Sequence, residues 1–316
     1  MHPTFVPTTP IHQPYGLMEI PIAMTRKPRT MPNRQCHFMP SALLLVLVTT
    51  ASVVRADDTE PGAKSRDEVV ARQRLDLMQQ RVTVAEVASR EPEFPTKFEA
   101  KPIFRFSDPA RGCVGAAIWK LGSKGRPKAL ITTELHRATF GKPCIAYEYS
   151  SLTATKFTVK SDDIQWSAPG TLYEFKPVPN GPVPEKTPLR RLIQMREITK
   201  RFASVEEVDK ERSELRLLTQ PVDRYVPSDA ENADGAIFLF AYGTNPEVVL
   251  ILESDGTKWN YAAGRMTGAQ SVVLTIDEKI AWQGLPLQKG NESPYTGSLS
   301  PIDIPGVGPD GSEAKE

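Results

Sequence analysis

A β-rich segment occurs twice in this chain, in the same order, over residues 104–166 and again over residues 215–282. The first copy begins Phe104-Arg105-Phe106 and reaches Pro109; the second begins Leu215-Arg216-Leu217 and reaches Pro221. Gly115-Ala116-Ala117-Ile118-Trp119 then corresponds to Gly235-Ala236-Ile237-Phe238-Leu239. The turn Gly125-Arg126-Pro127 corresponds to Gly243-Thr244-Asn245-Pro246, and Lys128-Ala129-Leu130-Ile131 to Glu247-Val248-Val249-Leu250-Ile251. Tyr147-Glu148-Tyr149 matches Trp259-Asn260-Tyr261. Residues 158–166 align without a gap on residues 274–282, each with an acidic turn before an isoleucine and a tryptophan two residues on. Two copies are too few for a solenoid, which stacks repeats into a continuous core. The expected fold is β-rich (α+β): two pseudo-repeated antiparallel β-meanders joined by an amphipathic helix and preceded by an N-terminal helix. The meanders form two sheets of one sandwich or one continuous sheet. The competing explanation is that any two meanders share Gly, Pro and aromatic punctuation by chance.

Residues 1–56 read as a leader. The apolar run 42–54 follows Arg34, and Val54-Arg55-Ala56 puts small residues at −3 and −1 of a cut after Ala56, the pattern of a secretory signal peptide. Thirteen residues are too few to cross a ~30 Å hydrocarbon core as a helix; the alternative is an N-terminal anchor that stays uncut. Met31 is a candidate true start. The expected location is secreted or periplasmic, with no membrane span once the signal is removed. Five of the 39 basic and one of the 38 acidic residues precede residue 57, so the remainder carries a net charge of −3. That balance argues against nucleic acid as a partner, which calls for a concentrated basic face.

Five further segments follow. Residues 57–98 hold an N-terminal helix and a connector, the helix over 65–80 setting Val69, Val70, Leu75, Leu77 and Met78 against Arg66, Asp67, Arg72 and Arg74. Residues 99–176 hold the first meander. Residues 177–206 hold a proline-rich linker and a helix over 188–204, with Thr187 as cap and Pro188 at the first helical position. Its inward face is expected to carry Leu189, Leu192, Ile193, Met195 and Phe202, and its outward face Arg190, Gln194, Glu197 and Arg201. Residues 207–285 hold the second meander, whose apolar runs suit strands buried on both faces. Thr132-Thr133-Glu134 in the first copy suggests one face in water. Residues 286–316, rich in Gly, Pro, Ser and charge, read as a disordered tail.

Arg105-Phe106-Ser107-Asp108-Pro109-Ala110-Arg111-Gly112, Gly125-Arg126-Pro127, Tyr147-Glu148-Tyr149-Ser150-Ser151-Leu152, Leu215-Arg216-Leu217-Leu218-Thr219-Gln220-Pro221 and Asp234-Gly235-Ala236 carry a likeness. On these motifs the chain, over residues 70–285, resembles an uncharacterised family of exported bacterial proteins. The resemblance implies secretion and these domain limits, and no activity.

Few chemistries are open to the sequence. His136 is the one histidine after the leader, so a triad built on an imidazole base would have to use it. No Gly-x-Ser-x-Gly elbow is present, and His136 reads as a solvated or hydrogen-bonded residue near a strand end. Cys113, His136 and Cys144 match no zinc spacing, so no metal or cofactor is expected. Asp162-Asp163 and Asp277-Glu278 read as hairpin turns rather than calcium loops. Gly122-Ser123-Lys124-Gly125 lacks the spacing of a phosphate-binding loop. A disulfide between Cys113 and Cys144 is possible in an exported protein. Their strands would stand two ladder spacings, roughly 9.6 Å, apart, however, which favours two buried thiols.

The binding candidates are Arg105, Asp108, Arg111, Arg126, Tyr147, Tyr149, Arg216 and Trp259. They could contact an anion or a sugar ring, or serve as structural arginine ties and core aromatics. The expected function is a non-catalytic binding module for an envelope or extracellular partner, protein or glycan. The alternatives are a structural or assembly component of the cell envelope and a hydrolase using two carboxylates.

Overall fold

The computed structural model describes residues 65–138, 141–161, 163, 165–170, 173–269, 271–284 and 294–313. The leader, its apolar run and the cleavage site at Ala56 lie outside the described residues. Helix α1 (Arg66–Thr83) is opened by Ser65 and Glu68, whose side chains bond reciprocally to each other's backbone N–H as a capping box. Strand β1 (Glu86–Ser89) follows, then the meander β2 (Phe104–Asp108), β3 (Cys113–Leu121), β4 (Ala129–His136) and β5 (Cys144–Ser151). The hairpin of β6 (Phe157–Lys160) and β7 (Gln165–Ala168) returns to pair β6 with β1, and the two-residue β8 (Lys176–Pro177) crosses to the second half.

Helix α2 (Pro188–Thr199) leads to β9 (Phe202–Val208), β10 (Glu211–Leu217) and the short β11 (Asp223–Tyr225). Then come β12 (Ala233–Tyr242), β13 (Asn245–Asp255), β14 (Trp259–Arg265), β15 (Ser271–Ile276), β16 (Lys279–Gly284) and β17 (Tyr295–Pro301). All strand pairs are antiparallel. The first meander forms the sheet β17-β5-β4-β3-β2. The second lies within the nine-stranded sheet β16-β15-β9-β10-β12-β13-β14-β8, with β11 alongside β12. In each half, a helix leads to a strand that is later rejoined by the hairpin closing that half: β6 on β1, β15 on β9.

Alternation of side chains across each strand sorts the apolar residues into three cores. One face of the first meander (Trp119, Ile131, Tyr147, Tyr149) packs under Met78 and Val82 of α1 and against Phe157 and Trp166. One face of the second (Phe238, Leu250, Trp259, Tyr261) packs under Met195 and Ile198 of α2. The remaining faces meet each other, Ile118 and Leu130 against Ile237, Leu239, Val249 and Ile251. Strand β4 is therefore buried at every position. This corrects the expectation that a face around Thr132-Thr133-Glu134 meets water: that face meets the other sheet. Three charge pairs ring the apolar centre and join the halves: Lys120 to Asp223 at 2.7 Å, Arg126 to Glu253 at 2.6 Å and Arg111 to Glu247 at 3.7 Å. An apolar centre with a charged rim is the anatomy of a protein interface.

The matched segments agree in strand order but only partly in facing. Leu130 and Val249 both look into the inter-sheet core, and Tyr147 and Trp259 each look into the core of their own half. Elsewhere the faces are opposite. Phe104 and Phe106 border the inter-sheet core, whereas Leu215 and Leu217 enter the core under α2; Ile118 faces the seam and Phe238 does not. Val159 is inward, whereas Thr275 is partly exposed between inward Leu274 and Ile276. With a side-chain period of two, a one-residue offset exchanges faces, and gapless likeness of residue type does not detect it.

Two expectations are overturned. Helix α2 ends at Thr199 rather than at 204, because Phe202 opens β9. Its inward face holds Arg191, Met195, Ile198 and Thr199, while Leu189 and Ile193 are exposed. The inward Arg191 meets Asp234 on β12. Its carboxylate accepts from Arg191 Nε at 2.8 Å and from Arg224 Nε at 3.0 Å, and an unpaired buried carboxylate there would cost several kcal/mol.

The supposed tail is also structured in part. Tyr295–Pro301 forms β17 on the edge of β5, Ile304 enters the core under α1, and Pro305 O accepts from Arg74 Nε at 2.9 Å. Composition misleads here because an edge strand needs only backbone donors and acceptors and a few anchors. Replacing Ile304 (3% exposed) by Ala should cost about 2–5 kcal/mol in denaturant unfolding. Ile280→Ala (70% exposed) should change stability by no more than about 0.5 kcal/mol. Equal small effects would contradict an anchored C-terminal segment.

Candidate functional site

The sequence-predicted candidates separate into buried, paired and exposed groups. Tyr147, Tyr149 and Trp259 are at most 1% exposed, inside the two helix-covered cores, so none offers a ring to a ligand. Arg126 donates from Nε and its second terminal nitrogen to the two oxygens of Glu253, at 2.6 and 2.7 Å. Tyr225 OH donates to the same carboxylate at 2.7 Å. The guanidinium also lies 4.3 Å from the ring centre of Phe175. Arg126 is thus a tie between the halves. Arg105 and Arg216 are exposed, and Arg216 donates to Gly243 O at 3.1 Å. Asp108 and Arg111 do come together, at 2.7 Å, at the corner between β2 and β3.

Cys113 and Cys144 are free and buried. His136 stands between them, paired with Cys113 across β3–β4 and with Cys144 across β4–β5. The intervening strand keeps the sulfurs apart. Burial pushes the Cys113 thiol up to about 12, with the Glu134 carboxylate adding to it, and the Cys144 thiol up to about 11.

At this end of the seam the inter-sheet contact changes from apolar to polar. Positions 130, 132, 134 and 136 of β4 alternate onto the seam, as do 144, 146, 148 and 150 of β5. The meander thereby delivers Glu134, His136 and Glu148 to a region that β13 enters with Glu247. His136 Nε2 lies 2.8 Å from Glu134 Oε2. Tyr295 OH donates to Glu148 Oε1 at 2.8 Å, and Asn245 Nδ2 donates to Glu247 Oε1 at 3.0 Å. Glu148 Oε2 is sealed from solvent without a hydrogen-bond partner among the described residues. Burial, followed by the like charges of Glu134 and Glu247, holds the Glu148 carboxyl well above the usual carboxylate range.

Cys113, Glu134 and His136 each offer one ligand atom, all within 4.8 Å of one another, and all three residues are buried. The expectation of no metal rested on spacing along the chain, whereas strand register brings these three residues together. His136, expected near a strand end and either solvated or hydrogen-bonded, ends β4, is 2% exposed and is bonded to Glu134. The signal present in the sequence was Glu134-x-His136 on one face of a strand flanked by cysteine-bearing strands. Nothing local marked Glu247, which arrives from the other half.

Elsewhere, an open groove of about 870 Å³ runs along residues 88–92, 155–158 and 167–169. Its one lining carboxylate, Glu91, accepts from Thr155 Oγ1 at 2.8 Å. No known family model, curated protein or solved structure matches the chain.

The raised Glu148 carboxyl gives stability a sign with pH. The folded chain keeps a proton that the unfolded chain, with an ordinary value near ~4.3, releases, so stability falls as pH rises above that value. Glu148→Gln should flatten this fall and be more stable than the unsubstituted protein at pH 8 by chemical denaturation. A steeper fall in the variant would contradict the assignment. Arg126→Ala, which strands Glu253 at the seam, should cost roughly 3 kcal/mol. Arg126→Lys should recover only part of it, because the fork is lost; full recovery would refute a role for the bidentate geometry.

Proposed function

We propose that the chain is an exported, non-catalytic binding module for a protein partner of the envelope or exterior, which it engages through helix α2. The observation that carries this reading is the rotation of α2. Arg191 points inward to Asp234, whereas Leu189 (69% exposed) and Ile193 (51% exposed), one helical turn apart, point outward. Val183 (77% exposed), on the strap whose backbone Gln194 holds, is a third exposed apolar residue of this region. Gln194 fixes that neighbourhood, donating to Val183 O at 2.8 Å and accepting from Glu185 N at 2.9 Å. Single exposed apolar residues are ordinary, but three on a tethered helix and strap form a preformed apolar surface. An amphipathic helix that shows apolar residues to solvent is suited to docking a protein surface.

Burial of Tyr147, Tyr149 and Trp259 favours a protein over a glycan, since the aromatic faces that would stack on sugar rings are taken up in the cores. The carboxylate hydrolase reading loses support because the open groove holds a single, bonded carboxylate. Export rests on the apolar run 42–54 and the small residues before a cut after Ala56, together with the resemblance to exported bacterial proteins. We read the shared strand order of the halves as a duplicated unit whose copies pack back to back.

The test is a photoreactive residue at position 189 or 193, with one at Ile280 on a distant strand as control, in cells that make the protein natively. A heteromeric adduct from the α2 positions alone is the expected result. A homomeric adduct would replace this reading with that of an assembly component, and equal or absent adducts at all three positions would overturn it.

A further inference from the structure

We infer that Cys113, Glu134 and His136 form a binding site for a divalent transition metal of the zinc class. The inference is independent of the docking reading. It rests on the seam between the sheets and not on α2.

The geometry comes from strand register. Glu134 and His136 are two residues apart on β4 and share a face, and Cys113 is the cross-strand partner of His136 on β3. Their ligand atoms all lie within 4.8 Å of one another. A tetrahedral zinc ion with bonds of about 2.0–2.3 Å holds its ligand atoms about 3.3–3.7 Å apart. The side chains are therefore within a small rotation of ligating. His136 Nε2 and Glu134 Oε2 already face each other at 2.8 Å, and a metal ion takes the place of the proton they share. The thiol proton of Cys113 leaves as well, so binding releases protons to solvent.

Donor chemistry selects the class of ion. A thiolate with an imidazole suits zinc and its neighbours, whereas magnesium and calcium require shells of oxygen. Three protein ligands leave the fourth position for a water or a neighbouring carboxylate.

A second observation points the same way. Glu134, Glu148, Glu247 and Asp108 converge on this end of the seam around the guanidinium of Arg111, with that of buried Arg265 near Glu247. Glu148 Oε2 is sealed there with no hydrogen-bond partner among the described residues. A dication bound by one thiolate, one carboxylate and a neutral imidazole is charge-neutral as a set, so its binding adds no net charge to this buried region. Cys144 flanks His136 on its other side but lies outside the convergent group, so it serves as an internal control.

The experiment uses the full chain, stripped with a chelator and then titrated with zinc(II) chloride or cobalt(II) chloride alone. The expected result is one metal retained per chain after dialysis, with a thiolate-to-cobalt charge-transfer band in the cobalt form. Cys113→Ser should abolish that band and weaken binding at least tenfold, and Cys144→Ser and Cys36→Ser should leave both unchanged. If Cys113→Ser does not fold, two measurements replace it. Glu134→Gln should bind at least tenfold more weakly, and zinc titrated into the unsubstituted chain should release protons, read with a pH indicator. No retained metal, a band that survives Cys113→Ser, or a band lost in Cys144→Ser or Cys36→Ser would overturn the site.

Discussion

Everything in this structure depends on the second face of each meander. A four-stranded antiparallel sheet covered by a helix on one side still presents its other side to water, and here each half uses the other half as that cover. The contact of Ile118 and Leu130 with Ile237, Leu239, Val249 and Ile251 removes both outer faces at once. Burying an aliphatic side chain of this size is worth ~1.5–3 kcal/mol, so the seam ranks with the helix-covered cores as a source of stability. It also sets the environment of every polar group that alternates onto it, including the Arg126–Glu253 tie and the acidic end around Glu148.

The same constraint explains why polar residues in the middle of β4 are buried. In a sheet with one wet face, Thr132, Glu134 and His136 would be ordinary outward positions. In a sheet with two dry faces they must find partners inside, and Glu134 and His136 find each other. The acidic cluster is thus a product of closure: neither half alone would hold Glu134, Glu148 and Glu247 near one another.

Much of the architecture was legible. Both helices, the capping residue Thr187, the meander strands, the proline strap and the separation of Cys113 from Cys144 follow from local signals in the sequence. What failed was long-range. The facing of Phe104 against Leu215 depends on one-residue offsets that similarity of residue type cannot register. The inward Arg191 of α2 finds its carboxylate, Asp234, 43 residues away. The aromatic candidates looked available because Tyr147-Glu148-Tyr149 alternates, but alternation does not tell which face is wet. The ligand trio escaped because cysteine and histidine were compared by spacing along the chain, while the ladder pairs them across it.

Strand β17 has one more consequence, which concerns time. Tyr295 bonds to Glu148 across 147 residues of chain, so the first sheet receives its edge strand from a segment synthesised well after β2 to β5. Until that segment emerges, β5 presents unpaired backbone N–H and C=O groups, and the core under α1 lacks Ile304. Pairings of such long range form slowly, because loop closure precedes any gain from contact. The first half therefore gains its edge only once β17, far downstream in the chain, has been made.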